Sequence, residues 1–247
     1  MSAAELRQLA GEPTEVLDSW RKFQWQCYYD ESYRSLLFAG VDNGTVVGLM
    51  AAGADASYCG AKIGELCSVQ NGSRRYGSGS ITVYVMRDQN NSNKMHAVQL
   101  LLTGYSAYPA EGFLDGESRV AFLLTNAFRS LHGIVPLKWD DEAGEVARNY
   151  SRTMAENNYV GHFGPDGSSP GDRLDAAGIE WSAYAENAAG GTVDGADSYN
   201  GWVNSAGHRA NLLYDQVSRI GVGGYFKRTD TNVHFYWTQV FYDSWIW

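Results

Sequence analysis

Two histidines and one glutamate in the second half of the chain are the residues whose types could carry chemistry. They are His162 in Gly-His-Phe, Glu186 in Ala-Glu-Asn and His208 in Ser-Ala-Gly-His-Arg. Each lies at a predicted boundary between secondary-structure elements, where side chains from distant segments can converge. Two neutral imidazoles and a carboxylate could hold Zn²⁺ with water in a fourth position. They could equally form an acid/base set, because a carboxylate moves a nearby histidine pKa towards working pH, or they could only hydrogen-bond helix and strand ends.

The elements that must position these residues are helices followed by strands. Apolar residues repeat at helical spacing from Val120 to Leu131, which predicts a helix that ends at Gly133. The spacing and the capping residues predict three more helices, one from about Asp140, one from Ser169-Pro170 to Gly178, and one over about Asp194–Asn204. Two strands then follow as a terminal hairpin, Ile220–Tyr225 and Val233–Phe241. This order predicts a layered α/β sandwich.

The first half of the chain has a different pattern. A short helix is predicted near Ala3–Leu9, and apolar runs separated by Gly, Asn and Asp turns then indicate strands. The Asn43-Gly44 pair between two such runs is a strong hairpin signal, because both residues tolerate a positive φ. We therefore predict an antiparallel α+β domain, and we interpret Tyr108–Gly116 as the linker that follows it.

Composition and charge exclude several classes of function. The chain has 247 residues and a formal net charge of −9, so its surface repels phosphate backbones, and we expect no nucleic-acid partner. Its longest uncharged run, Met95–Ala110, is shorter and more polar than the roughly 20 apolar residues of a membrane helix. We therefore expect no transmembrane segment. Three cysteines are too few for a disulfide framework, which favours three buried thiols over one disulfide with a free thiol.

An ordered series of motifs runs through residues 118–247. It includes Leu124-x-Asn126-x-x-Arg129, Gly161-His162-Phe163, Ser169-Pro170-x-Asp172-Arg173, Ala185-Glu186-Asn187, Trp202-x-x-Ser205-x-Gly207-His208-Arg209 and Ile220-Gly221-Val222-Gly223. On these motifs the second half resembles the CAP (SCP-like) superfamily of cysteine-rich secretory proteins, plant pathogenesis-related proteins and venom allergens, and in particular its bacterial secreted members. On Leu9-Ala-Gly11-Glu-Pro13 and Trp25-x-x-Tyr28, the first half resembles the CAP-associated N-terminal domain of some Gram-positive bacteria.

The resemblance implies an α+β protein with two domains. Residues 116–247 would form a three-layer α/β/α CAP sandwich, and residues 1–115 a smaller, mostly antiparallel α+β domain. The family has a cleft lined by two histidines and two glutamates. His162, Glu186 and His208 fill three of these places, and Ser205 stands near the fourth. The motifs also imply structural roles for Asn126, Arg129, Asn187, Trp202 and Arg209. We expect Asn187, next to Glu186 on a strand, to point to the opposite face and satisfy buried backbone.

The function that the resemblance implies is binding outside the cytoplasm. We expect a secreted or cell-envelope protein whose cleft holds a divalent cation such as Zn²⁺, a small ligand or a peptide, with His162 and His208 as the metal ligands and no other cofactor. Its partner would be an extracellular or envelope peptide, lipid or glycan. The N-terminus lacks the charged and apolar regions of a signal peptide, so we presume that the signal peptide is missing from this sequence.

Two alternatives remain open at this point. In the first, the protein is a metal-dependent hydrolase of peptide or cell-wall material, in which Glu186 activates water on a cation held by His162 and His208. The sequence indicates no oxyanion donor or specificity pocket for such a reaction. In the second, the protein has a structural role in an interaction, and the three residues only stabilise the fold.

Overall fold

The computed structural model describes residues 1–76, 79–105, 112–229 and 233–244, which divide into two compact units. Unit 1 comprises Met1–Gly116 and Asn126–Gly133, and unit 2 comprises Glu117–Thr125 and Ile134–Trp247. The first division lies close to the predicted domain boundary. The sequence did not predict that residues 126–133, in the second half of a long helix, belong to unit 1.

Unit 1 is built on a seven-stranded sheet. Its elements are α1 (Ala3–Ala10), β1 (Glu15–Asp18), β2 (Gln24–Tyr29), β3 (Leu36–Asp42), β4 (Thr45–Ala52), β5 (Ser57–Tyr58), β6 (Ala61–Lys62), β7 (Gly72–Tyr76), β8 (Gly79–Asp88) and β9 (Lys94–Leu102). The strand order is β1-β2-β3-β4-β9-β8-β7, and all neighbouring pairs in this sheet are antiparallel. The short strands β5 and β6 pair separately. The antiparallel α+β prediction for the first half is confirmed.

Local sequence signals explain two features of unit 1. Helix α1 begins with a reciprocal capping box between Ser2 and Glu5. Asn43 and Gly44 join β3 to β4 with φ values of 46° and 75°, the positive values that a tight hairpin turn requires.

Two expectations for the first half need correction. The thiols of Cys27 and Cys67 are buried, but that of Cys59 is exposed, so the expectation of three buried thiols is wrong for Cys59. It lies in the turn between β5 and β6, where little chain is available to cover it. Residues 108–111 of the predicted linker lie outside the described residues. A helix begins at Phe113, so the end of that segment is helical.

Unit 2 contains a smaller sheet with helices between its strands. The elements after β9 are α2 (Phe113–Leu131, divided between the two units), β10 (Lys138–Trp139), α3 (Asp141–Asn157), α4 (Pro170–Ala176), β11 (Ala183–Gly190), α5 (Gly195–Asn204), α6 (Ala206–Leu212), β12 (Arg219–Arg228) and β13 (Val233–Asp243). The strand order is β10-β12-β13-β11, with β10 parallel to β12 and the other pairs antiparallel. The predicted terminal hairpin is β12–β13, and the predicted helices are present.

Helices pack on both faces of this sheet, because neighbouring side chains of β13 point to opposite faces and contact different helices. Val240 packs with Ala147 of α3 and Leu174 of α4 in one apolar cluster. The next residue back, Gln239, points the other way, and its amide donates a 3.0 Å hydrogen bond to the Thr125 hydroxyl of α2. On that second face the Glu117 carboxylate accepts from the first residue of α5 at 3.1 Å. Unit 2 is therefore the three-layer α/β/α sandwich that the sequence predicts.

Glycines on β12 allow α3 to lie directly against the sheet. A Cβ atom at Gly221 would collide with the backbone of Ala143 and Gly144, and one at Gly223 would collide with the backbone of Arg148. The Gly-Val-Gly segment is therefore explained by close approach of a helix. It brings α3, which carries part of the candidate site, close to β12 and β13.

Candidate functional site

Glu186 lies at the centre of a cluster on the α3/α4 face of unit 2. It belongs to the edge strand β11 and pairs with Val240, which fixes the face to which it points. Its side chain is only 1% exposed. One carboxylate oxygen lies 2.9 Å from Nδ1 of His162, and the other accepts a hydrogen bond of 2.6 Å from Arg173. Both oxygens of this buried carboxylate therefore have a partner.

Arg173 connects the carboxylate to the loop that carries His162. It lies in α4, whose start is fixed by the predicted capping box between Ser169 and Asp172. Nη2 of Arg173 also donates to the carbonyl oxygen of His162 at 3.1 Å, and Nη1 donates to that of Ser168 at 2.9 Å. The same guanidinium group therefore orients Glu186 and holds both ends of residues 162–168.

Tyr150 of α3 contacts both Arg173 and the segment that precedes His162. The guanidinium carbon of Arg173 lies 3.5 Å from the centre of the Tyr150 ring, a cation–π contact. The Tyr150 hydroxyl donates to the carbonyl oxygen of Gly161 at 2.7 Å. Burial raises the pKa of this hydroxyl, which keeps it protonated and able to donate. Neither Arg173 nor Tyr150 is among the site residues predicted from the sequence, although Arg173 lies within the Ser-Pro-x-Asp-Arg motif.

His208 approaches the cluster from α6, across the edge of the sheet. Its ring centre lies 6.4 Å from that of His162, with the ring planes at 69°. Its carbonyl oxygen accepts from the side-chain amide of Asn187 at 3.2 Å. Asn211, one turn further along α6, donates to the carbonyl oxygen of Glu186 at 2.9 Å and to the Asn187 side chain at 2.9 Å. The bond to the Glu186 carbonyl and the two bonds of the Asn187 side chain join α6, and with it His208, to the edge strand β11.

The pKa values of the two histidines are shifted in opposite directions. The hydrogen bond to Glu186 raises the pKa of His162 above its usual range, although partial burial opposes this effect. Burial lowers the pKa of His208, and the nearby charge of His162 lowers it further. As the pH falls, His162 therefore takes up a proton before His208. With Nδ1 of His162 bonded to the carboxylate, Nε2 is the nitrogen left for a ligand.

The other predicted site residues have mainly structural surroundings. Asn187 lies on the face opposite Glu186 and satisfies the His208 backbone, as the sequence analysis expects. Ser205 joins α5 to α6 and its carbonyl oxygen accepts from the backbone N–H of Arg209 at 2.8 Å. Trp202 is fully buried on α5. Asn126 and Arg129 are buried in the part of α2 that belongs to unit 1.

The donor set restricts how a cation could bind. Among the residues that the structure describes, no group of three or more His, Cys, Asp or Glu side chains is arranged to hold a metal ion. Glu186 is already bonded through both oxygens, so the geometry disfavours the set of three ligands in which it binds the metal directly. The imidazoles of His162 and His208, with ring centres 6.4 Å apart, are then the nitrogen donors that remain near the carboxylate.

Comparison with known proteins identifies the region that contains this cluster. Residues 122–241 match the family model described as CAP, cysteine-rich secretory protein family. This part of the chain is a CAP domain. The CAP domain contains His162, Glu186 and His208, together with Arg173, Tyr150 and the α6 segment that position them.

Two curated proteins that the CAP domain resembles are bacterial. Over 122 residues the chain is 38% identical to the uncharacterized membrane protein YlbC of Bacillus subtilis (strain 168). This alignment covers 49% of this chain and 33% of YlbC. Over 136 residues the chain is 32% identical to the uncharacterized protein YkwD of the same strain. This alignment covers 55% of this chain and 52% of YkwD. The matches therefore span about a third and about half of these relatives.

A solved structure shares the fold over almost the whole chain. It is that of an extracellular protein containing a SCP domain from Bacillus anthracis str. Ames, with a TM-score of 0.80 and 24% identity, covering 98% of this chain and 92% of that one. The CAP fold is thus shown by sequence and by structure. No helix in the described part of the chain is long and apolar enough to cross a membrane.

Proposed function

We propose that this is a secreted or cell-envelope CAP-domain binding protein whose His162 and His208 hold a divalent cation, with Glu186 as the carboxylate that orients His162. One observation carries the proposal: Nδ1 of His162 lies 2.9 Å from the buried carboxylate, which leaves Nε2 for a ligand, and a second imidazole lies nearby. Metal-binding histidines usually donate their other ring N–H to a carboxylate or a carbonyl group, which fixes the ring and raises its basicity.

The charges of the site indicate what would complete the coordination. Arg173 neutralises Glu186, so two neutral imidazoles would carry the cation with no negatively charged ligand of their own. A divalent cation held in this way keeps open positions and its positive charge. An acidic group of a peptide or small ligand would therefore be the natural partner, with the cation joining it to the protein.

Binding fits the geometry better than hydrolysis does. A metal-dependent hydrolase would use Glu186 to take a proton from a bound water molecule. That role needs a carboxylate lone pair that a bound water molecule can reach, and each oxygen already has one partner, His162 or Arg173. The side chain is also almost completely buried, which keeps it from water.

Two findings support a location outside the cytoplasm. The Bacillus anthracis protein that shares the fold is described as extracellular, and one Bacillus subtilis relative is named as a membrane protein. A peptide or glycan of the cell surface would then be within reach of the site.

Calorimetric titration with Zn²⁺ near neutral pH tests the proposed cation site. We expect one ion per chain, with binding weakened at least tenfold by His162→Ala or His208→Ala. Glu186→Gln should weaken it by about 10- to 100-fold, because that substitution removes the carboxylate behind His162. His234→Ala is the matched control, since His234 is an exposed histidine on β13, and it should bind Zn²⁺ like the wild type.

Two outcomes would overturn this proposal. One is equal Zn²⁺ binding by the wild type and by a variant that lacks both His162 and His208. The other is cleavage of peptide or peptidoglycan that Glu186→Gln abolishes without loss of the fold, which would favour the hydrolase.

A further inference from the structure

A network of buried polar side chains, formed by Thr125, Gln239 and Asn187, connects the core of unit 2 to the helix that carries His208. Asn187 and Gln239 lie directly opposite each other on β11 and β13, and the Asn187 amide donates to the Gln239 side-chain oxygen at 3.1 Å. The Gln239 amide donates to the Thr125 hydroxyl of α2 at 3.0 Å. The Asn187 amide also donates to the carbonyl oxygen of His208 at 3.2 Å. All three side chains of the network are fully buried.

The bonds of this network support one orientation of each amide. The Thr125 hydroxyl donates its own hydrogen to a carbonyl oxygen one turn earlier in α2, at 2.8 Å, so it accepts from Gln239. Gln239 must then present its NH₂ group to Thr125 and its oxygen to Asn187. The Asn187 oxygen accepts from Asn211 of α6 at 2.9 Å, which leaves its NH₂ group for Gln239 and for α6. A reversed amide at either position would place two donors against each other.

The position of His208 depends on this network, because the residue is joined to β11 through its carbonyl oxygen and not through its ring. Asn211, one turn further along α6, donates to the Asn187 oxygen and to the carbonyl oxygen of Glu186, both at 2.9 Å. Asn187 therefore holds α6 at two points, His208 and Asn211. A buried amide that loses a partner is costly, so loss of a bond at one end of the network should reorient the next amide.

We propose that Thr125 and Gln239 are positioning residues for His208. They act through the Asn187 amide, which sets where α6 lies against β11 and so where the ring of His208 lies relative to that of His162. The proposal rests on the proposed function only for the use of this ring as a ligand, because the network holds α6 with or without a cation.

NMR of the histidine ring signals in metal-free protein tests this assignment. Thr125→Val removes the hydroxyl and nearly keeps the shape of the side chain, whereas Thr125→Ser keeps the hydroxyl. We expect Thr125→Val to shift or broaden the ring signals of His208, and Thr125→Ser to give signals like those of the wild type. Unchanged His208 signals in Thr125→Val would overturn the proposal.

Thr238→Val is the matched control. Thr238 precedes Gln239 on β13 and is equally buried, but its hydroxyl lies on the opposite face of the sheet, 2.8 Å from the hydroxyl of Ser151. This variant should leave the His208 signals unchanged. An equal shift in Thr238→Val would reveal a general effect of losing a buried hydroxyl and would overturn the proposal.

A second variant tests the network from its half-buried end if Thr125→Val does not fold. In Asn211→Asp the side chain can no longer donate to Asn187, because an ionised carboxylate only accepts. We expect the His208 ring signals to shift in this variant also. Signals like those of the wild type would contradict the proposal.

Calorimetric titration with Zn²⁺ separates this proposal from that of the cation site. Thr125→Val should bind Zn²⁺ at least about threefold more weakly than the wild type, and Thr238→Val should bind it equally well. Wild-type affinity in Thr125→Val would contradict the positioning role. Absence of binding by the wild type would overturn the cation proposal alone, because the ring signals test the network without a cation.

Discussion

The two histidines of the CAP domain are held in opposite ways. The His162 ring is bonded to the buried carboxylate of Glu186, and its carbonyl oxygen is bonded to Arg173. His208 is fixed through its backbone, where Asn187 donates to the carbonyl oxygen, and its ring faces His162 across 6.4 Å. One half of the site is therefore fixed by side-chain bonds, and the other half by the position of a helix.

This difference separates two tasks. The half that is fixed by side-chain bonds contains Glu186, Arg173 and His162, whose charges compensate one another. The other half contributes a ring whose pKa burial lowers, so that it stays neutral and available as a ligand. A site of this kind can combine one pre-oriented nitrogen with one that adjusts to what is bound.

Removal of Arg173 should break the fixed half and give the largest effect. In Arg173→Met, Glu186 would remain buried without its cationic partner, so we expect the free energy of unfolding to fall by about 3–5 kcal/mol. Urea denaturation measures this loss. The matched control is Arg152→Met, which breaks an exposed ion pair to Glu156 within α3 and should have almost no effect. Similar stability of the two variants would show that the network around Glu186 is not what holds the loop.

A smaller effect should distinguish the two histidines by their pH dependence. The pKa of His162 is raised in the folded protein, so the stability it contributes is full below its unfolded pKa of about 6.5 and is lost as the pH rises through the folded pKa. The pKa of His208 is lowered, so its contribution is present above about 6.5 and is lost as the pH falls through the folded pKa.

Unfolding of His162→Gln and His208→Gln in metal-free buffer, from mildly acidic to mildly alkaline pH, measures this difference. Relative to the wild type, His162→Gln should be most destabilised at acidic pH, and His208→Gln should gain relative stability there. The effect of His162→Gln should be well below that of Arg173→Met, because its side chain is 45% exposed and solvent screens the pair. Slopes of the same sign would contradict the division between the two halves.

Much of the fold could be predicted because it depends on local signals. The Asn43-Gly44 turn and the Ser169 capping box act through neighbouring residues, and the structure has both. The apolar stripe of α2 was a less complete guide. It predicts one buried face, yet residues 120–129 of this helix, which is divided between the two units, are all buried.

In the candidate site, the sequence likewise indicates some of the residues but not the contacts between them. The types and motif positions of His162, Glu186 and His208 identified the residues that the structure brings together. The bond from Arg173 to Glu186 could not be predicted, because it joins a helix to an edge strand 13 residues away and depends on their packing. Without that bond Glu186 looked free to act as a metal ligand or a base.

Diffraction from crystals soaked in Zn²⁺, with data collected at the zinc absorption edge, tests the central claim most directly. The account predicts an anomalous peak bonded to Nε2 of His162 and to the His208 ring, with Glu186 still bonded to Nδ1 of His162 and to Arg173. An empty site at millimolar Zn²⁺, or a peak on the Glu186 carboxylate itself, would contradict it.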